Sequence, residues 1–224
     1  MRHRQKSDMS AKTEKRRQRF SPEKRRSLIL DFTAEIVARE GVAQLSMERI
    51  GKEAGVSKSL VYNYFDSLTE LLRELLEREH KALRRLQFAA AEGATTLEEI
   101  VQNVTHEYLK YISERGLIIE RLQAEPSVSD LHDPTEYSRE GAVSYLAEII
   151  AEHLDMPLDL TAMMTDISFG IPASAGEYLL RKNADLKQVE KLTVSMILGA
   201  LVMVRNDHFT RSKLSPRKRR AAND

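Results

Sequence analysis

Residues 46–72, SMERIGKEAGVSKSLVYNYFDSLTELL, carry the reading that decides the fold. Ser46 is a good N-cap for a short helix over 46–54, although Arg49 leaves the capping box incomplete. Gly55 ends that helix, and Ser57 caps a second one running from Lys58 to Phe65. Two short helices joined by a tight glycine turn form a helix-turn-helix pattern. Ile50, Ala54, Val56 and Val61 fall on its inner face, leaving Lys58, Ser59, Tyr62 and Asn63 for the outer one.

The outer residues suit contact with DNA. A second helix of this kind lies in the major groove with its N-terminal side chains on base edges. Lys58 can reach guanine O6 and N7. Ser59 is small enough to let the helix approach closely. Tyr62 can meet a thymine methyl with its ring or a phosphate with its hydroxyl. Ser46 and Ser57 can offer N–H or hydroxyl groups to phosphates, although both are good caps without any DNA. Phe65 reads as core.

Upstream, Ser21-Pro22-Glu23 opens a helix in which Ser21 caps, Pro22 fits the first position and Glu23 suits the positive end. Leu28, Ile29, Phe32, Ile36 and Val37 share a face, and Gly41 stops the helix. Downstream, a long helix from Ser67 to about Glu92 carries Leu68, Leu71, Leu72, Leu75, Leu76, Leu83 and Leu86 on one face. Further helices are expected over 96–115 (stopped by Gly116), 117–124, 135–154, 157–182 with a kink at Pro172, and 184–208. A loop covers 126–134. No alternating strand pattern and no internal repeat is present, so the chain reads as all-α.

Charge is unevenly placed. Across the 224 residues the net charge is +1, but residues 1–26 carry +8, residues 211–224 carry +5 and the body carries −12. An acidic body with basic ends suggests a polyanion near one end of the fold. The arm over 1–20, with Lys15, Arg16, Arg17 and Arg19, reads as disordered and able to touch phosphates or the minor groove. The tail over 211–224 reads as a disordered basic tail.

Several classes are excluded or disfavoured. There is no cysteine, so disulfides and thiol chemistry are absent and a reducing, cytoplasmic setting is expected. No apolar run is long enough to span a membrane, and the basic N-terminus has no apolar segment of a secretory signal. No phosphate-binding glycine loop, nucleophile elbow or zinc-protease motif occurs. His132-Asp133 reads as a solvated pair, so no metal, cofactor or enzymatic activity is expected.

The segment 23–83 resembles the TetR family of bacterial transcriptional regulators. The resemblance rests on Glu40-Gly41 ending the first helix, Ile50…Ala54-Gly55-Val56-Ser57, Tyr62-x-Tyr64-Phe65 and Leu71-Leu72 in the long fourth helix. It implies an N-terminal three-helix DNA-binding domain over 23–83, with its motif at about 46–65. It also implies a helical ligand-binding and dimerisation domain over 84–210. Double-stranded operator DNA would be the partner of Ser46, Arg49, Ser57, Lys58, Ser59, Tyr62, Asn63 and Tyr64. Leu60, Leu68 and Glu48 depart from the residues common in the family, which puts some backbone contacts in doubt.

For the C-terminal half, polar-tipped residues within apolar helical patterns mark a candidate pocket: His106, Tyr108, Tyr111 and Tyr145, with Ile149 beside them. The expected effector is neutral or apolar, because the acidic body has few unpaired basic groups. Arg121 reads as a surface salt-bridge residue or an anchor for an anionic ligand. The run 196–204, MILGALVMV, and the small-residue stretch 170–176, GIPASAG, fit a homodimer through the last two helices. Constitutive DNA binding without an effector is the alternative, and an all-helical enzyme or lipid carrier a more distant one.

Overall fold

The computed structural model describes residues 20–129 and 134–214; most of the basic arm, His132-Asp133 and the tail beyond Leu214 lie outside them. The described chain is helical: α1 (Pro22–Glu40), α2 (Met47–Glu53), α3 (Lys58–Tyr62), α4 (Leu68–Glu92), α5 (Leu97–Gln123), α6 (Pro126–Ser129), α7 (Pro134–Leu154), α8 (Leu158–Ser168), α9 (Gly170–Lys182) and α10 (Leu186–Leu214). No strand occurs among the described residues.

Local chemistry sets the helix starts. The side chains of Ser21, Ser46, Ser57, Ser67 and Thr96 each accept from the backbone N–H three residues on, at 3.1–3.3 Å. Each satisfies a donor that the first turn leaves without a partner. Thr96 and Glu99 complete a reciprocal capping box. Between α2 and α3, Gly55 turns the chain at φ 67°, a conformation that costs a side-chain-bearing residue about 1–2 kcal/mol.

The head is built by α1–α3 and the first turns of α4. Ile29, Ile36, Ile50, Val61, Phe65, Leu71 and Leu75 are completely buried in one cluster. Each contributes about 1.5–3 kcal/mol of apolar burial. The same cluster continues into Tyr111, Ile118, Ile119 and Leu122 of α5, so head and body share a core. A second cluster joins Ile100 and Val101 of α5 to Leu146 and Ile150 of α7, Met164 of α8, and Ile197 and Leu201 of α10.

Several expectations about the helices change. The second helix of the motif stops at Tyr62, three residues before Phe65. Gly116 does not end a helix; α5 runs through it to Gln123. A Cβ on Gly116 would sit 2.9 Å from Leu180 Cδ1 of α9 and 2.9 Å from Ile112 Cγ2, so this glycine permits a close helix crossing. Gly176, on α9, meets Ile112 at 3.0 Å in the same way. That part of the small-residue stretch therefore serves packing within the chain. The expected helix 157–182 is divided at Phe169. Pro172 lacks the N–H that would bond Ser168, and its ring excludes that carbonyl, so the helix breaks one turn earlier instead of kinking at the proline. Pro126–Ser129 forms a short helix in place of loop, and the last helix extends to Leu214. Leu86 lies on an exposed part of α4, not on its buried face.

The run 196–204 is not buried all round. Ile197 and Leu201 point into the chain's own core, with Leu201 1% exposed. Leu192, Met196 and Met203 lie on the opposite side at 52–70% exposure. Leu201 thus belongs to the subunit interior, and the face of α10 free for a partner is the other one.

Candidate DNA-reading surface and internal cavity

The turn at Gly55 sets α3 across α2, with Ile50 and Val61 buried and Ala54 nearly so. This leaves Lys58, Ser59, Tyr62 and Asn63 exposed together, Tyr62 at 46%. Ser57 Oγ caps Leu60 N–H at 3.2 Å and lies 3.1 Å from Ser59 Oγ. Lys58 Nζ is 4.0 Å from Glu48 Oε2, both side chains largely in water, so the pair holds Lys58 only weakly. Ser46 caps α2 at the rim of the same surface.

Arg49 and Tyr64 are differently placed. The Arg49 guanidinium lies 2.6 Å from Glu40 and 3.8 Å from Glu53, tying α2 to the end of α1. Arg39 and Arg49 hold the Glu40 carboxyl below the usual range. A phosphate contact by Arg49 would have to compete with these carboxylates. Tyr64 is half-buried against the head's core, and its carbonyl accepts from Arg26 Nη1 at 2.5 Å. Arg26 also binds Glu74 through two nitrogens and lies 4.4 Å above the Phe65 ring. It fastens α1, the end of the motif and α4 together, a role the basic sequence Lys24-Arg25-Arg26 did not separate from DNA contact.

In the body, α4, α5 and α7–α10 line a half-open cavity of about 1230 Å3. Ile100, Leu146, Ile150, Ile197 and Leu201 give part of its wall a purely aliphatic surface. Gln87, Thr105, Tyr108 and Thr165 add polar groups, and Arg84, Glu120, Arg139, Glu177 and Arg181 add charges. Burial, with a smaller contribution from Glu177, pushes the Tyr108 hydroxyl up to about 12, so it stays protonated at neutral pH. Thr165 is 4% exposed and its Oγ1 has no hydrogen-bond partner.

Of the five pocket candidates only Tyr108 lines this cavity. His106 turns outward to Glu190, with Nδ1 2.9 Å from its carboxylate. Tyr145 packs on Phe88 with ring centroids 4.4 Å apart, and Ile149 supports the second core cluster. Tyr111 is buried elsewhere: its hydroxyl donates to Glu79 Oε2 at 2.9 Å. The helical face that meets the cavity is set by the neighbouring helices, which a periodicity in one helix does not reveal.

The sequence reading also missed two long-range anchors. Glu79 is 2% exposed and accepts from Arg115 Nε at 2.7 Å and Nη2 at 2.6 Å as well as from Tyr111. Burial pushes its carboxyl up, but the hydrogen bonds from Arg115 and Tyr111 outweigh this and hold it below the usual range. Arg121 does not pair with an acid on the surface. It donates to the carbonyls of Val37 and Ala38 at 2.6 and 2.8 Å, the last turn of α1.

With this geometry in view, the family profile for bacterial regulatory proteins of the tetR family matches residues 29–75, from α1 through the first turns of α4. The chain carries a TetR-family DNA-binding domain. A fatty acid metabolism regulator protein of Bacillus subtilis is 25% identical over 126 residues, covering 55% of this chain and 65% of that protein. The chain spans less than two thirds of the length of the curated relatives it matches. Solved TetR-family structures share the fold. A TetR-family regulator from Rhodococcus sp. superposes with a TM-score of 0.65 at 19% identity, over 81% of this chain and 99% of that one. LfrR from Mycobacterium smegmatis, solved with proflavine, gives 0.56 at 20% identity over 80% and 96%. Among the described residues, no helix is long and apolar enough to cross a membrane.

Proposed function

We propose that this chain is an effector-controlled transcriptional regulator, a repressor by default, that binds a pseudo-palindromic operator as a homodimer in the cytoplasm. Lys58, Ser59, Tyr62 and Asn63 read the major groove, while Ser46, Ser57 and the basic arm meet the backbone. The observation that carries the reading is the double membership of α4. Its Leu71, Leu72 and Leu75 are buried in the head, while Leu83 and Gln87 line the cavity about two to four turns further on. A molecule that fits the cavity in one setting of α4 better than in another shifts the population of head positions.

The exposed apolar residues Leu192, Met196 and Met203 of α10, with Met163 and Ile167 of α8, support self-association across that side of the body. Gly199 and Ala200 lie exposed between Met196 and Met203, where they allow a second copy to approach closely. Selection of binding sites from random duplex DNA tests the whole reading. The expected outcome is a pseudo-palindrome with half-sites about one turn, ~34–36 Å, apart. Recovery of no enriched sequence overturns it. A constitutive regulator would bind the same DNA but ignore every occupant of the cavity.

A further inference from the structure

We propose that the cavity binds a long-chain aliphatic carboxylate, its tail at the apolar end and its charged head held by Arg84, Gln87, Thr105 and Tyr108. The assignment rests on the effector-controlled reading only where operator release is concerned; the binding chemistry stands on the cavity itself.

The cavity wall is graded along α5. At one end Ile100, Leu146, Ile150, Ile197 and Leu201 are all buried and aliphatic. On the side nearer the head, Leu117, Glu120 and Gln123 are exposed. An alkyl chain that reaches the buried end leaves water for aliphatic walls, a gain that grows with every methylene.

Between the two lies a belt of hydrogen-bond donors. The short connection 93–96 makes α4 and α5 antiparallel, and Glu79 of α4 meets Tyr111 and Arg115 of α5. Counting along both helices from that contact sets Arg84 level with Tyr108 and Gln87 level with Thr105. All four line the cavity. Gln87 and Thr105 are 8% and 4% exposed, yet neither they nor Tyr108 makes a hydrogen bond among the described residues, and none of their polar atoms is sealed from open space. The amide, the hydroxyl and the phenol thus each keep a donor for an occupant.

The charge comes from Arg84. It is partly buried and makes no ion pair among the described residues, whereas Arg139 is held by Asp166 at 2.8 Å. Arg181 follows Leu180, which packs at Gly116, about 12 Å along α5 from Tyr108. One unpaired cation amid three neutral donors matches a single negative charge, in place of the neutral effector that the acidic body suggested. Glu177, the acid that acts on the Tyr108 hydroxyl, is exposed on α9, where water screens its repulsion of a bound carboxylate.

Calorimetric titration of the full chain with decanoate, 1-decanol and decyltrimethylammonium holds the tail constant and varies the charge of the head. Decanoate should bind about tenfold tighter than either of the others. From octanoate to tetradecanoate, affinity should rise by up to about fourfold per methylene and level off when the apolar end is full. Arg84→Gln should weaken decanoate about tenfold and leave 1-decanol unchanged. Glu177→Gln, on an exposed side chain, should tighten decanoate about twofold to fivefold. If Arg84→Gln loses 1-decanol as well, the cavity itself has changed, and Glu177→Gln decides. Decanol or the ammonium binding as tightly as decanoate, no dependence on chain length, an unchanged Arg84→Gln affinity, a Glu177→Gln affinity that does not rise, or binding of none of the three compounds would each overturn the assignment. Release of bound operator DNA is read separately. Decanoate binding without release upholds the ligand class and removes the effector role; release by 1-decanol or the ammonium with no decanoate binding does the reverse.

Discussion

Arg121 on α5 donates to the carbonyl oxygen of Val37 at 2.6 Å, across 84 residues of sequence. The contact places a cation at the negative end of α1, where Val37 O already accepts from Gly41 N–H at 3.0 Å and Ala38 O accepts from the same Arg121 nitrogen at 2.8 Å. Because Glu120 and Gln123, on the same turn of α5, line the cavity, the wall and the head meet at this side chain.

Arg121→Ala should lower stability by about 1.5–3 kcal/mol, the range for hydrogen bonds to a charged group. Denaturant unfolding measures this. The same substitution should also weaken the dependence of operator affinity on cavity occupancy, which a gel-shift titration with and without effector reads out.

Lys58→Ala should cost about 1–3 kcal/mol at the cognate site and relax preference at one base position, with folding unaffected because the side chain is exposed and only loosely paired with Glu48. Binding measured against a panel of single-base operator variants checks it. A flat, uniform loss across the panel would reassign Lys58 to phosphate contact.

Met203→Glu should shift the protein toward monomer in sedimentation and reduce operator affinity steeply, while the monomer stays folded. Leu201→Glu should behave differently: with Leu201 1% exposed in the chain's own core, the charge should unfold the body. Comparing the melting of the two variants separates the partner-facing side of α10 from its inward side.

The Glu79 cluster makes a pH prediction. Its carboxyl is held below the ordinary value of 4.5, so the folded state binds its proton less readily than the unfolded chain. The stabilisation is complete above about 4.5 and is lost as the pH falls through the lower, folded value. Glu79→Gln should therefore flatten the acid limb of the stability curve. At neutral pH it should cost roughly 2–3 kcal/mol, less than a fully buried pair, because Arg115 is partly exposed. Chemical denaturation at several pH values measures both.

What could be read from the sequence follows the range of the interactions involved. Ser21, Ser57 and Thr96 announce helix starts because a cap acts over three residues. The outward set of Lys58, Ser59, Tyr62 and Asn63 was legible because α2 and α3 fix each other's inner faces locally. Gly116 was misread because a glycine that stops a helix and one that lets two helices touch look the same in one dimension. Leu201 was misread because an apolar run does not say which neighbour covers it. Glu79 with Arg115, and Arg121 with Val37, lie 36 and 84 residues apart, and no local pattern announces such pairs.

The glycine notch where α5 crosses α9 acts as a gauge for the whole body. Gly116 meets Leu180 where both are also part of the cavity wall. A single methyl there displaces the Leu180 and Ile112 side chains that it would meet at 2.9 Å, and moving them resizes the space between. One carbon at residue 116 would thus retune which molecules fit, while leaving the DNA-reading residues untouched.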